Sequence, residues 1–180
     1  ATIVVGPKEG IARQNRYELQ SFIARHYVEQ AIIARQNKDE QAAKKYYDLA
    51  AKPVEEITQL VGGSTTVIAQ QWQGMLHLAA GDEKEGYRTL YKVYQELKTL
   101  DKPDQVSSVD SYLCYILSRM AAARGSLGMQ REFLENAISN RNSIAIEKPQ
   151  AILDYAAIML NLRAGQYAAP VLESYTRIYG

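Results

Sequence analysis

The sequence is poor in the residue types that most often build catalytic and metal sites. Its 180 residues include one cysteine and two histidines. A single cysteine, Cys114, excludes an intramolecular disulfide, and its apolar neighbours favour a buried core position over a reactive thiol. His26 and His77 lie far apart, each without a second histidine or cysteine at ligand spacing. We therefore predict no metal site and no cofactor.

An excess of one charge and a long apolar run are also missing. The chain has 21 basic and 20 acidic side chains, and the two signs are balanced within residues 1–60, 61–103 and 104–180. Nucleic-acid-binding proteins usually concentrate Lys and Arg on one segment or face, so we expect no nucleic-acid partner. No apolar stretch approaches the roughly 18 residues that cross a bilayer, so we expect no membrane insertion.

Two short patterns are similar to catalytic or ligand-binding motifs, and local structure explains both. Glu55 and Glu56 fall in the first turn of a predicted helix, where carboxylates interact favourably with the helix dipole. Residues 62–66 (Gly-Gly-Ser-Thr-Thr) precede a helix, as a phosphate loop does, but lack the lysine and the preceding strand of that motif. We predict that the chain is not an enzyme; an enzyme or small-ligand protein with a pocket between helices is a less favoured alternative.

Four tight turns, each between two amphipathic stretches of helical length, dominate the sequence. They read Gln-Asn-Lys-Asp (36–39), Ala-Ala-Gly-Asp (79–82), Ala-Arg-Gly-Ser (123–126) and Arg-Ala-Gly-Gln (163–166). With Lys38, Gly81, Gly125 and Gly165 taken as equivalent, the spacings are 43, 44 and 40 residues. A fixed period of this length is typical of stacked helical repeats.

The periodicity of apolar residues predicts an all-α chain with eight main helices and one short extra helix. Residues 1–8 are predicted to form an extended arm and residues 9–180 a single helical domain. Lys-Pro occurs at 52–53, 102–103 and 148–149, and each proline stands where we expect a helix to begin. Asp39, Asp82 and either Ser64 or Thr65 are predicted N-caps. The expected helices are 9–36, one that ends at 52–53, a short one at 53–60, two long ones from about 65 and from 83, then 104–124, 127–139, 149–163 and 167–179.

The turn and helix residues resemble the tetratricopeptide repeat (TPR) family. That family pairs a small residue in the first helix with small and bulky residues along the second, because the helices approach closely and bulky groups fill the grooves. The first-helix positions are Ala31, Gly74 and Ser118, and the second-helix sets are Ala43, Tyr47, Ala50; Gly86, Leu90, Val93; and Gln130, Leu134, Ala137. The resemblance implies a right-handed α-α superhelix, a TPR-like solenoid of about four helical hairpins. Its repeats exceed the TPR length of about 34 residues; HEAT-like repeats match in length but lack the Gly-Asp turn and the alanine spacing.

The resemblance also implies a function, because the first helices of TPR domains line a concave face that binds a partner. The chain is thus expected to be a scaffold or adaptor that binds a protein or peptide there. Tyrosine and arginine are favoured at such sites, and intermittent arginines suit an extended or helical partner with acidic groups. The implied partner-binding residues are Arg25, Arg35, Gln71, Tyr112, Tyr115, Arg119, Tyr155 and Arg163.

Self-association in a larger assembly is the main alternative. A solenoid usually ends in a polar capping helix, but the last stretch here is apolar, with Val171, Leu172, Tyr175, Ile178 and Tyr179. We expect a second copy, another partner or the rest of a longer protein to cover it, so a homo-oligomer formed through the C-terminal helix is possible. The first residue, Ala1, suggests a processed or trimmed chain. Localisation stays open between the cytoplasm and, if a signal peptide was removed, the periplasm or secretion.

Overall fold

The computed structural model describes residues 7–100, 109–139 and 148–179, and within them the chain forms eight α-helices and no strand. The predicted all-α class is therefore confirmed for this part of the chain. Residues 1–6 of the predicted arm lie outside the described residues. The helices are α1 (Pro7–Gln36), α2 (Glu40–Leu60), α3 (Val67–Ala79), α4 (Glu83–Leu100), α5 (Ser111–Ala123), α6 (Leu127–Ser139), α7 (Lys148–Asn161) and α8 (Gly165–Tyr179).

The chain divides into two compact units, Ala1–Val93 and Tyr94–Gly180, with the division inside α4. In the first unit α1 packs along α2, and α3 contacts both. In the second unit α5 pairs with α6, α6 with α7, and α7 with α8. Cys114 is fully buried, as its apolar neighbours predict. The largest fully buried apolar side chains are Val28, Ile57, Met75, Leu90 and Val93 in the first unit and Val109, Leu113, Leu117, Phe133 and Leu134 in the second.

All four hairpin turns close with the same two backbone hydrogen bonds. One residue with positive φ donates its N–H to the carbonyl three residues earlier, and the next residue donates to the carbonyl five residues earlier. This is the Schellman motif, which satisfies carbonyls at a helix end. The eight N···O distances are 2.8–3.0 Å. The residues with positive φ are Lys38 (60°), Gly81 (86°), Gly125 (68°) and Arg163 (58°).

The fourth turn corrects the alignment made from sequence. We took Gly165 as its turn residue, but the left-handed residue is Arg163, and Gly165 is the first residue of α8. The error has a physical cause: the hydrogen bonds of the motif fix the turn position, and glycine only makes it less strained. The true spacings between turn residues are 43, 44 and 38.

The residue after each left-handed position immediately precedes the next helix and holds its N-cap position. Asp39 accepts a hydrogen bond from the N–H of Ala42 (2.9 Å), and Asp82 accepts one from Glu85 (3.1 Å), so both predicted caps are confirmed. In the fourth turn Ala164 holds this place and offers no side-chain acceptor. That turn therefore has both a strained residue and an uncapped helix.

Prolines mark helix starts less reliably than predicted. α2 continues through the buried Pro53, so the predicted end at 52–53 and the separate helix 53–60 are wrong. A proline inside a helix removes one backbone hydrogen bond. Here Val54 and Ile57 on the same helix are also buried, and this burial offsets the loss. Lys148 does begin α7, whereas the proline at 103 lies outside the described residues.

Two further helix starts differ from the sequence prediction. α5 begins at Ser111, because Asp110 caps it by accepting from the N–H of Tyr112 (3.3 Å), and residues 109 and 110 are not helical. The predicted start at 104 is thus wrong. α3 is capped by Thr66 rather than by Ser64 or Thr65, with its hydroxyl accepting from the N–H of Ala69 (3.3 Å).

Small residues bring α3 and α4 together, for the physical reason the family pattern implies. A Cβ on Gly86 would lie 2.3 Å from Cδ2 of Leu78 and 3.2 Å from the carbonyl oxygen of Gly74. A Cβ on Gly74 would lie 2.7 Å from Cδ2 of Leu90. An added Cβ on either glycine would therefore displace the facing leucine side chain, and on Gly86 it would also crowd the backbone of α3. The other small residues singled out from sequence, Ala31, Ala43, Ala50, Ser118 and Ala137, are buried.

We predict that Gly86→Ala lowers the free energy of unfolding by about 1–3 kcal/mol, because overpacking outweighs the better helix propensity of alanine. Gly128→Ala is the matched control, since Gly128 lies in α6 with no atom within 4 Å of an added Cβ. The control should be neutral or slightly stabilising. Urea unfolding followed by circular dichroism measures both, and equal destabilisation by the two changes would contradict the close contact.

We predict opposite effects for two turn substitutions. Arg163→Gly should stabilise the chain by about 1 kcal/mol, because it relieves a left-handed residue that has a Cβ. Gly125→Ala should destabilise it by a similar amount, because nothing lies within 4 Å of the added Cβ and only the backbone conformation opposes it. Thermal and urea unfolding measure both. A shift of the same sign in both variants would show that backbone strain does not control these turns.

Candidate interaction surfaces

Three of the eight residues implied as partner-binding are buried. Gln71, Tyr112 and Tyr155 each have 9% or less of their surface exposed. Side chains with so little free surface contribute mainly to packing. Packing within this chain therefore explains why the sequence has these three side chains, and they present almost no surface to a partner.

Two predicted arginines are half-buried and already bonded to groups of this chain. Arg35 donates from Nε to the carbonyl oxygen of Ala79 (2.9 Å) at the end of α3, and from Nη1 to Glu40 (2.8 Å) at the start of α2. It therefore links three helices and satisfies a carbonyl that the last turn of α3 leaves unpaired. Arg25 pairs with Glu29 one turn along α1, with Nε 3.3 Å from Oε1.

The other three predicted residues are accessible. Arg119 on α5 and Arg163 in the fourth turn are exposed, and Tyr115 on α5 is half-buried. Within the described part of the chain, the guanidinium groups of Arg119 and Arg163 form no ion pair or hydrogen bond. An exposed arginine without an acidic neighbour is available to an acidic group from outside. Tyr115 lies one turn before Arg119 and adds an aromatic surface.

Tyr155 has a structural partner. Its hydroxyl donates to Oε1 of Glu135 on α6 (3.3 Å), and Arg131 pairs with the same carboxylate oxygen (3.5 Å). Burial, and then the nearby negative charge of Glu135, raise the pKa of the Tyr155 phenol above its ordinary value. Tyr155 therefore ties α7 to α6 as a neutral hydrogen-bond donor.

Two of the surface hollows that described residues line lie on the first unit, and both are open to solvent. One of about 180 Å³ lies where α1, α2 and α3 approach one another. There Arg13 donates from Nε to the carbonyl oxygen of Leu60 (2.8 Å), so this cation already stabilises the C-terminal end of α2. The other hollow is shallow and lies along α2 alone; its lining is Gln41, Lys44, Lys45, Asp48, Leu49 and Lys52.

Metal-binding clusters and membrane-spanning helices are both absent from the described residues. In the ranges 7–100, 109–139 and 148–179, no three His, Cys, Asp or Glu side chains come together as a metal ion would require. Of the helices that the structure describes, none is both long and apolar enough to span a lipid bilayer.

The outer face of α1 is an apolar surface that sequence reasoning missed. Ile11, Leu19, Phe22 and Ile33 are 63%, 57%, 61% and 46% exposed. At 100° per residue these four side chains, the α1 row, lie within about a quarter of a helical turn. The opposite side of α1 is fully buried at Ala24, Val28 and Ala31. Apolar residues of both sides recur at helical spacing along residues 9–36, so the linear pattern does not separate the two sides, whereas a helical wheel does.

The C-terminal helix is also partly uncovered. Ile178 and Tyr179 are exposed, and Val171, Leu172 and Tyr175 are half-buried. This agrees with the apolar end noted in the sequence. The α1 row lies on one face of a 30-residue helix, whereas the exposed large apolar side chains of α8 are Tyr167 near its start and Ile178 and Tyr179 at its end.

Comparisons with known proteins leave these surfaces as the basis for any functional argument. No profile of a known protein family, no curated protein and no solved structure matches the chain. The resemblance to TPR repeats therefore stays a prediction. It depends on the turns, the glycine contact and the buried small residues described above.

The shifted pKa of Tyr155 predicts a specific loss of stability at alkaline pH. As the pH rises past about 10, Tyr155 of the unfolded chain loses its proton while the folded chain keeps it, so unfolding becomes easier. Tyr155→Phe should therefore lose less stability between pH 8 and pH 11 than the native chain, as measured by urea unfolding. Tyr179→Phe, at an exposed position, serves as the control. Parallel pH profiles for the native chain and Tyr155→Phe would contradict the raised pKa.

Proposed function

We propose that this chain is a protein–protein interaction module, a scaffold or adaptor built from TPR-like helical hairpins. The observation that carries the proposal is the α1 row, in which four large apolar side chains lie uncovered along one helix face. Single exposed apolar residues are common on proteins. Here four share one helix face, with Asn15, His26 and Glu29 between them, and their alignment favours a surface that another protein covers.

The proposed architecture is a right-handed superhelix of four hairpins. It is supported by the identical closure of the four turns and by the Gly74–Gly86 contact within one hairpin. The buried alanines at family positions, such as Ala31 and Ala43, agree with it. Repeats of this kind stack their hairpins and use the resulting long surfaces for binding.

A second surface supports the same function. On α5, half-buried Tyr115 and exposed Arg119 form an aromatic and cationic pair one turn apart. Residues of these types carry much of the binding energy in protein interfaces. We propose that this pair, with Arg163 in the fourth turn, receives acidic groups of a peptide or protein partner, as the family resemblance implies for first helices.

Crosslinking and affinity capture with matched variants test the function. A partner from lysate of the source cells should be retained by the native chain and by Leu160→Glu. The amount of partner retained should fall at least about tenfold in the double variant Leu19→Glu/Phe22→Glu or in the double variant Tyr115→Ala/Arg119→Ala. Leu160 is a fair control for Leu19, since both are 57% exposed leucines on helices.

The readouts are quantitative mass spectrometry of the captured proteins and circular dichroism of each variant, which should show unchanged helicity. A second copy of the chain counts as a partner in this assay. Equal retention by every variant, or no specific retention by the native chain, would argue against an interaction module that uses these surfaces.

A further inference from the structure

Both hairpin turns of the second unit lie at one end of it. α5 and α6 run antiparallel, since Ser111 at the start of α5 donates to the carbonyl oxygen of Ala137 near the end of α6 (2.7 Å). α6 packs on α7 and α7 on α8, and consecutive packed helices with connections this short run antiparallel. The turns at 124–126 and 162–164 are therefore neighbours. We call the surface formed by these turns and the helix residues next to them the turn end.

Positive charge is concentrated at the turn end. Arg124 and Arg163 lie in the turns themselves, Arg119 lies about 6 Å behind them along α5, and all three side chains are exposed. Residues 111–131 and 155–172 contain no aspartate or glutamate. The residues that form this surface therefore give it a net positive charge.

Negative charge lies deeper in the second unit. The acidic residues of α5–α8 are Glu132, Glu135, Asp154 and Glu173. Along the helix axes they lie about 8–12 Å behind the turn end. The nearest, Glu132, accepts a hydrogen bond from the hydroxyl of Tyr94 (3.0 Å). Because charges in water are screened over about 8 Å at physiological ionic strength, the arginines dominate the field in front of the turn end.

Large apolar side chains protrude at the same place. Leu127 begins α6, Leu162 follows the last residue of α7, and Tyr167 lies in the first turn of α8; they are 42%, 47% and 60% exposed. Along the helix axes all three lie within about 3 Å of the turns. The turn end is therefore ordered by depth, with apolar groups and arginines outermost and carboxylates farther back.

The turn motif does not require this distribution of charge. The turns of the first unit have the same hydrogen bonds, yet Asp39 and Asp82 follow the left-handed residues there, and a glutamate begins each following helix. Ser126 and Ala164 hold the corresponding places in the second unit, and the first turns of α6 and α8 have no acidic residue. Acidic groups normally stabilise a helix N-terminus. Their absence from both turns therefore points to a role other than stability.

We propose that the turn end binds the surface of a membrane that contains anionic phospholipids, without crossing it. Such a membrane has negative headgroups outside an apolar interior. Leucine and tyrosine side chains would reach the boundary of the acyl chains, while the arginines stay level with the phosphates and donate paired hydrogen bonds to them. A planar lipid surface distinguishes groups by depth, whereas a peptide partner is recognised through a lateral pattern of contacts. The proposal goes beyond the interaction function above and does not depend on it.

Co-sedimentation with lipid vesicles tests the charge contribution. Vesicles of phosphatidylcholine with about 30% phosphatidylserine should bind the native chain at low salt, and vesicles of phosphatidylcholine alone should not. Arg124→Gln/Arg163→Gln should weaken binding at least about tenfold, since each arginine close to an anionic surface contributes about fivefold. Lys44→Gln/Lys52→Gln is the matched control, because it removes two exposed positive charges from α2 and should bind like the native chain.

A second pair of variants tests the apolar contribution. Leu127→Ser/Leu162→Ser should weaken vesicle binding at least about fivefold, whereas Leu153→Ser/Ile178→Ser, both distant from the turn end, should not. The fluorescence of Tyr167→Trp should shift to shorter wavelength when anionic vesicles are added, because the indole enters the interface. Trp72 is buried and adds a constant background. Circular dichroism should show the same helicity in every variant.

Each outcome supports or overturns the proposal. A native chain that does not bind anionic vesicles at low salt overturns it, as does equal weakening by the arginine and lysine pairs. Capture of a protein partner without vesicle binding refutes the lipid surface and keeps the interaction module. Vesicle binding that depends on Arg124 and Arg163, in a chain that captures no protein, refutes the interaction module alone.

Discussion

The left-handed turn residue is the constraint on which the rest of the structure depends. At each hairpin one residue with positive φ redirects the chain, so two carbonyls of the first helix receive hydrogen bonds and the second helix starts at once. Only three residues separate the two helices of each hairpin. Their inner faces are consequently brought together by a short turn, and side chains such as Val28 and Leu90 become buried. Packing elsewhere in each unit follows from this closure.

Much of the fold could be predicted from sequence because local rules and packing agree. Asp39 and Asp82 cap helices, and glycine at 81 and 125 adopts the left-handed conformation, as those residue types favour. The prediction failed where packing overrode a local preference. Pro53 lies inside α2 because burial offsets a lost hydrogen bond, and Arg163 takes a position that we assigned to glycine.

The surfaces were harder to predict than the helices. Apolar periodicity identifies which side chains avoid water but does not say whether this chain or another covers them. Tyr112 and Tyr155 therefore looked like binding residues and are buried, while the large apolar side chain of Phe22 is exposed. Burial depends on which helix faces are adjacent, and these follow from three-dimensional packing rather than from the pattern along one helix. Tyr115, Arg119 and Arg163, by contrast, are accessible in the structure.

Gly81 connects local conformation to distant packing. Its φ of 86° favours glycine, and a Cβ there would also lie 3.1 Å from Nε of Arg35. The same guanidinium joins α1 to the last turn of α3. A larger residue at 81 would displace the arginine and so loosen a contact made by the first hairpin. The two positions are therefore not free to diverge separately: among relatives of this chain, replacement of one should be accompanied by a compensating change in the other.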